Sequence, residues 1–218
     1  MRVTITLKDC GTGAGGFQPG NTCAGGGGGG GGERSSTGSG SERGGRSSAG
    51  SADRQSRISA ASNPHTSPDT LVKLSKDESE FVRIDVAKNP KTPSGTLAAM
   101  SKDVDVSVRR GVADNPNTPQ ATLAALSKDG VGWVRADVAS NPSTPQHTLV
   151  ELSKDKDWYM RYSAALNPST PVATLAALSK DENWQVRSNV SRNPKTPSAT
   201  LAELANDENG DVREAAQR

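Results

Sequence analysis

At 218 residues, 32% hydrophobic and with a formal net charge of +2, the chain is poor in core-forming side chains and nearly electroneutral. That balance argues against a strongly electrostatic nucleic-acid binder. No run of about 18 apolar residues is present to span a membrane. The opening "MRVTITLKD" has no apolar stretch of signal-peptide length, so a cytoplasmic protein is expected.

In chain order, residues 1–23 are a short peptide containing Gly and Cys. Gly11-Thr12-Gly13-Ala14-Gly15-Gly16 fits G-x-G-x-x-G and follows the alternating "VTITL". A dinucleotide loop needs a helix opening at its third glycine and an acidic residue about 20 positions on. Here "FQPGNTC" and polyglycine follow, so the stretch is not a Rossmann loop. Cys10 and Cys23 are the only two cysteines and lie outside any C-x-x-C pair; they read as reduced thiols in a solvated leader, with no cofactor and no metal. The Cys-bracketed glycines resemble motifs on phage-encoded proteins, which points to a bacterial or phage-like origin. Residues 24–56, Gly/Ser with scattered Arg, bury too little to offset their ordering entropy and are expected to be a disordered linker.

From residue 63 the chain is periodic. Asn-Pro recurs at Asn63, Asn89, Asn115, Asn141, Asn167 and Asn193, every 26 residues, giving repeats 63–88, 89–114, 115–140, 141–166, 167–192 and 193–218. Residues 57–62 match the end of a further unit, with Arg57 in register with Arg83. A fixed period of this length signals stacked units, none of which buries its apolar face alone. Each unit predicts two short helices. Thr-Pro starts the first, with the Thr hydroxyl as cap and Leu123 and Leu126 as its apolar stripe. Asp129 is expected to cap the second, whose stripe is Val134 and Val138 and which is expected to be short or partly 3₁₀. Asn-Pro ends it.

The pattern N-P-x-T-P-x-x-x-L-x-x-L-x-x-D-x-x-x-x-V-R-x-x-V-A resembles the leucine-rich repeat variant family, akin to HEAT and armadillo solenoids, over residues 63–218. The resemblance implies an all-α, right-handed superhelix of α and short α or 3₁₀ helices, with no sheet. It also raises an iron–sulfur module ahead of the repeats, but such a cluster takes four cysteines and this chain has two.

Two sets of polar or aromatic residues recur by column. Arg83, Arg109, Arg135, Arg161, Arg187 and Arg213 hold one position, and Asp77, Asp103, Asp129, Asp155, Asp181 and Asp207 hold another. A catalytic group is needed once, so six-fold recurrence reads as a structural ladder between units. His65 and His147 occupy unrelated positions, and no nucleophile–base pair is legible, so no catalytic residue is assigned and an enzyme is not expected. Five of seven aromatics fall in the second helices of repeats 3–5: Trp133, Trp158, Tyr159, Tyr162 and Trp184. Trp158 and Trp184 share one column and Trp133 and Tyr159 the next. These rings either wedge the gaps between helices or form an exposed patch for a protein partner. The expected function is a non-catalytic binding scaffold; the alternative is nucleic-acid binding or modification on a HEAT-like scaffold. Oligomeric state is not legible.

Overall fold

Proline and asparagine fix where each helix ends, and so fix the period. The computed structural model describes residues 45–217, which form helices α1 (Gly45–Ser62), α2 (Pro68–Leu74), α3 (Glu80–Lys88), α4 (Ser94–Met100), α5 (Val106–Asp114), α6 (Gln120–Leu126), α7 (Gly132–Ser140), α8 (Gln146–Leu152), α9 (Trp158–Leu166), α10 (Val172–Leu178), α11 (Trp184–Arg192), α12 (Ser198–Leu204) and α13 (Gly210–Ala216). Among the described residues every regular element is an α-helix, so the architecture is an all-α solenoid of two-helix repeats. None of these helices is long and apolar enough to cross a membrane.

The first helix of each repeat has seven residues, the second usually nine. Helices this short are marginal alone, so packing must hold them. Leu71, Leu97, Leu123, Leu149 and Leu175 of the first helices are fully buried against Val82 and Val86, Val108 and Val112, Val134 and Val138, and Val186 and Val190 of the second. Repeat 4 places Met160 and Ala164 at the two valine positions, trading one larger side chain for one smaller. Second helices pack directly on one another in the order α1, α3, α5, α7, α9, α11, α13, while first helices make at most marginal contact with each other. The second helices are therefore the closely spaced layer of the stack.

The Asn-Pro-x-Thr turn shows why the sequence repeats as it does. Pro116 has no N–H, so the Val112 carbonyl loses its helical donor; the Asn115 N–H (3.2 Å) and the Thr118 hydroxyl (2.6 Å) replace it. Asn115 Oδ1 takes the Asn117 N–H at 2.9 Å, which leaves the Ala113 carbonyl without its helical donor in turn. Asn141 Nδ2, from the next repeat, donates to that Ala113 carbonyl (2.7 Å) and to the Asn115 carbonyl (3.0 Å). Asn89, Asn115, Asn167 and Asn193 make the same pair of inter-repeat bonds.

Several details differ from the sequence-based expectations. The second helix is α-helical and is the longer of the two, because its N-terminus is held by an Asx turn and its C-terminus by the turn just described. The Thr of Thr-Pro does not cap the helix that follows it. Pro93, Pro119, Pro145, Pro171 and Pro197 stand in the cap position, and the Thr side chain instead closes the preceding helix. Only α2 carries a side-chain cap of the expected kind, from Ser67 to the Thr70 N–H, because its proline comes one place late. Asp129 lies two residues before the N-cap of α7 and accepts the Val131 N–H at 2.9 Å. Helix α1 reaches back to Gly45, so residues 45–56 of the expected linker are helical; Ile58 and Ala61 join the core and Arg57 joins the ladder. Residues 1–23, with Cys10, Cys23 and the G-x-G-x-x-G stretch, and the rest of the linker lie outside the described residues.

Candidate functional site

The Arg and Asp columns lie along one edge of the second-helix layer. Each Arg grips the Asp 20 residues ahead: Arg57–Asp77 2.7 Å, Arg83–Asp103 2.8 Å, Arg109–Asp129 2.7 Å, Arg135–Asp155 3.1 Å, Arg161–Asp181 2.6 Å and Arg187–Asp207 2.7 Å. The same guanidinium reaches back to its own repeat, where Arg83 Nη1 donates to the Asp77 carbonyl at 2.8 Å. Arg213 makes that backward bond to Asp207. The pairing is mostly forked, with Nε on one carboxylate oxygen and Nη2 on the other. Burial, the largest single influence, would raise Asp103 and Asp129, but the hydrogen bonds from Arg83 and Arg109, the backbone N–H groups of Asp105 and Val131 and the neighbouring guanidinium charges together outweigh it and hold both carboxyls below their ordinary range. The Arg187 hydrogen bond leads the same lowering at Asp207. These guanidiniums are committed to carboxylates and carbonyls, which leaves little of them for a ligand.

The outer face of the second helices carries the aromatic columns. Trp133 of α7 and Trp158, Tyr159 and Tyr162 of α9 form one ring cluster. Tyr159 stacks on Tyr162 (centroids 5.6 Å, 9° between planes), while Trp133–Tyr159 (5.7 Å), Trp158–Tyr159 (5.7 Å) and Trp158–Tyr162 (5.9 Å) meet edge to face. Mutual packing leaves Trp158, Tyr159 and Tyr162 half-buried. Trp133 keeps 45% of its surface exposed and Trp184 39%. Trp184, on α11, joins the others through a cleft whose wall it shares with Tyr162. Burial pushes the Tyr159 phenol up, so it is a neutral donor at physiological pH.

Residues that the sequence reading missed complete this face. Leu166, at the end of α9, is 48% exposed and occupies a column otherwise filled by Lys88, Asp114, Ser140 and Arg192; its apolar character in a polar column was the available signal. Arg110 lies over the Trp133 ring (5.9 Å to the centroid) and pairs with Asp137 at 2.7 Å. Burial raises Asp137, although the Arg110 hydrogen bond works against it. Along the outward positions of the second helices stand four cations, Arg54, Lys88, Arg110 and Arg192, against six anions, Glu80, Asp85, Asp114, Asp137, Asp211 and Glu214. His65 and His147 are exposed on separate turns of the stack. Among the described residues no group of three or more His, Cys, Asp or Glu could hold a metal ion.

No family model matches the chain, and no curated protein does. Among solved structures, it is similar to a leucine-rich repeat variant with a repetitive structural motif, at 27% identity and a TM-score of 0.56 over 74% of this chain. The chain spans 64% of that protein's length. It is also similar to Escherichia coli YibA (18% identity, TM-score 0.48, 75% of this chain and 72% of that one). A designed armadillo repeat protein solved in complex with a (KR)4 peptide matches at 16% identity and a TM-score of 0.38, over 81% of this chain and 93% of that one.

Proposed function

Starting from a chain that is an α-solenoid of the leucine-rich repeat variant type, we propose that it is a non-catalytic scaffold that binds a protein partner through the second-helix face of repeats 3–5. The observation that carries this reading is the confinement of Trp133, Trp158, Tyr159, Tyr162 and Trp184, with exposed Leu166, to one face of three consecutive repeats. A generic packing wedge would recur in every unit, whereas the Trp158 column elsewhere holds Glu80, Val106, Gly132 and Gly210, and the Trp133 column holds Ser107, Gln185 and Asp211, with one further exposed ring, Phe81, in repeat 1. Trp and Tyr are enriched among the few residues that dominate binding energy at protein interfaces, so a rigid, pre-packed group of rings is suited to that work. The excess of carboxylates over cations on this face favours a protein over nucleic-acid phosphates.

A photo-cross-linking residue placed at position 159, and in a second protein at position 133, tests the assignment against one placed at exposed Ala125 on the first helix α6. The expected result is one protein species, identified by mass spectrometry, that links at 133 and 159 but not at 125. Equal linking at 125, or recovery of nucleic acid alone at 133 and 159, would overturn it.

A further inference from the structure

The second-helix face is concave at its C-terminal end. Between α9, α11 and α13 lies a cleft of about 200 Å³ whose walls include Tyr162, Trp184, Gln185 and Ser188. The columns explain the gap. Ser188 stands between Tyr162 and Glu214 at one helix position, and Gly210 follows Trp184 at another, so small residues leave room beside large ones.

Three features of this cleft call for the same kind of occupant. First, its charges are two carboxylates, Asp211 and Glu214, against the single guanidinium of Arg192, so the site is net negative. Second, the Trp184 indole is 39% exposed beside them and offers an electron-rich ring face. Third, the hydroxyl of Ser188, a residue only 1% exposed, has no hydrogen-bond partner among the described residues. A buried hydroxyl without a partner is destabilising, and a donor arriving from the cleft would relieve it.

Resting on the reading of this face as the binding surface, we infer that the cleft receives an arginine side chain presented by the protein partner. A planar guanidinium stacks on the indole, gives a forked pair of N–H groups to a carboxylate, and keeps further donors for the Ser188 hydroxyl and the Gln185 amide oxygen. Lysine meets the carboxylates with a compact ammonium and forgoes the stacking. An acidic segment meets an excess of like charge.

Labelled hexa-arginine, hexa-lysine and hexa-glutamate peptides, titrated into the full chain by fluorescence anisotropy, test the assignment. Hexa-arginine is expected to bind more tightly than hexa-lysine, with no binding of hexa-glutamate. Trp184→Ala and Asp211→Lys should each weaken hexa-arginine by about fivefold or more. Trp184→Phe should retain most of the affinity, and Asp211→Lys, a surface change, should leave the melting temperature close to that of the parent. Equal binding of the arginine and lysine peptides, or hexa-arginine binding unmoved by Trp184→Ala and Asp211→Lys, overturns the inference. If the cross-link at position 159 survives in that case, the scaffold reading stands and the cleft assignment alone falls; if the cross-link also fails, both fall.

Discussion

Replacing Asn141 with Ala removes a side chain that is 2% exposed and makes three hydrogen bonds. The Ala113 carbonyl loses its donor outright, because the N–H four residues on is already held by Asn115 Oδ1. The Asn115 carbonyl keeps the Thr118 N–H, and the Ser143 N–H is close enough to the surface for water to replace its acceptor. One fully orphaned buried carbonyl, one partly deprived one and the lost inter-repeat bond place the cost at roughly 2–4 kcal/mol. Asn63 is the internal control. It is exposed, and its recorded side-chain bond is to the His65 N–H, so Asn63→Ala should cost less than about 1 kcal/mol. Asn141→Asp should be at least as damaging as Asn141→Ala at neutral pH, since it turns a carboxylate toward two carbonyl oxygens, and the loss should shrink on acidification as that carboxylate protonates. Urea unfolding followed by far-UV circular dichroism measures all three. Coincident midpoints for Asn141→Ala and Asn63→Ala would refute the claim that the asparagine column bolts one repeat to the next.

Further perturbations probe the helix packing and the Arg–Asp ladder. Gly95 in α4 has nothing within 4 Å of the position a Cβ would take, so Gly95→Ala should stabilise by about 0.5–1 kcal/mol. In Gly111→Ala the new Cβ would sit 3.0 Å from Ala87 Cβ, where α3 and α5 pack, and thermal melting should show a net loss of roughly 1–3 kcal/mol despite the helix-propensity gain. Asp103, Asp129 and Asp207 have folded-state values held below their ordinary range, so their stabilisation is complete above the unfolded carboxylate range and is lost as pH falls through the folded values. The melting temperature should be level down to about pH 5 and fall below about pH 4. Asp129→Asn should lower it at neutral pH and flatten part of the acid fall. Asp85 and Asp137, raised by burial, act in the opposite sense and soften the onset.

The period, the leucine and valine stripes and the solenoid itself were legible because they repeat: Asn-Pro every 26 residues states the unit, and spacing within the unit states the helices. The register of the ladder was not. Spacing offers Arg83 either Asp77 in its own repeat or Asp103 in the next, and the structure uses both, the carbonyl of one and the carboxylate of the other. The direction of the Thr hydroxyl was hidden for a similar reason. A Thr before Pro can serve the helix ahead or the helix behind, and the carbonyl left unserved by Pro116 decides it. The asparagine column was visible but read only as a stop, because partners 26 and 28 residues away appear only once neighbouring turns are stacked. At the candidate site, the five aromatics and their columns were legible, whereas the degree to which each ring covers the next was not. The cleft beside Trp184 depends on a small residue between two larger ones across three repeats, a comparison down the columns rather than along the chain.

The most direct measurement is hydrogen exchange of the full chain, free and bound to the protein recovered by the position-159 cross-link. The account predicts slowed exchange across α7, α9 and α11, the second helices of repeats 3–5, with little change in α6, α8 and α10. Protection confined to α6, α8 and α10, with α7, α9 and α11 unchanged, would contradict it.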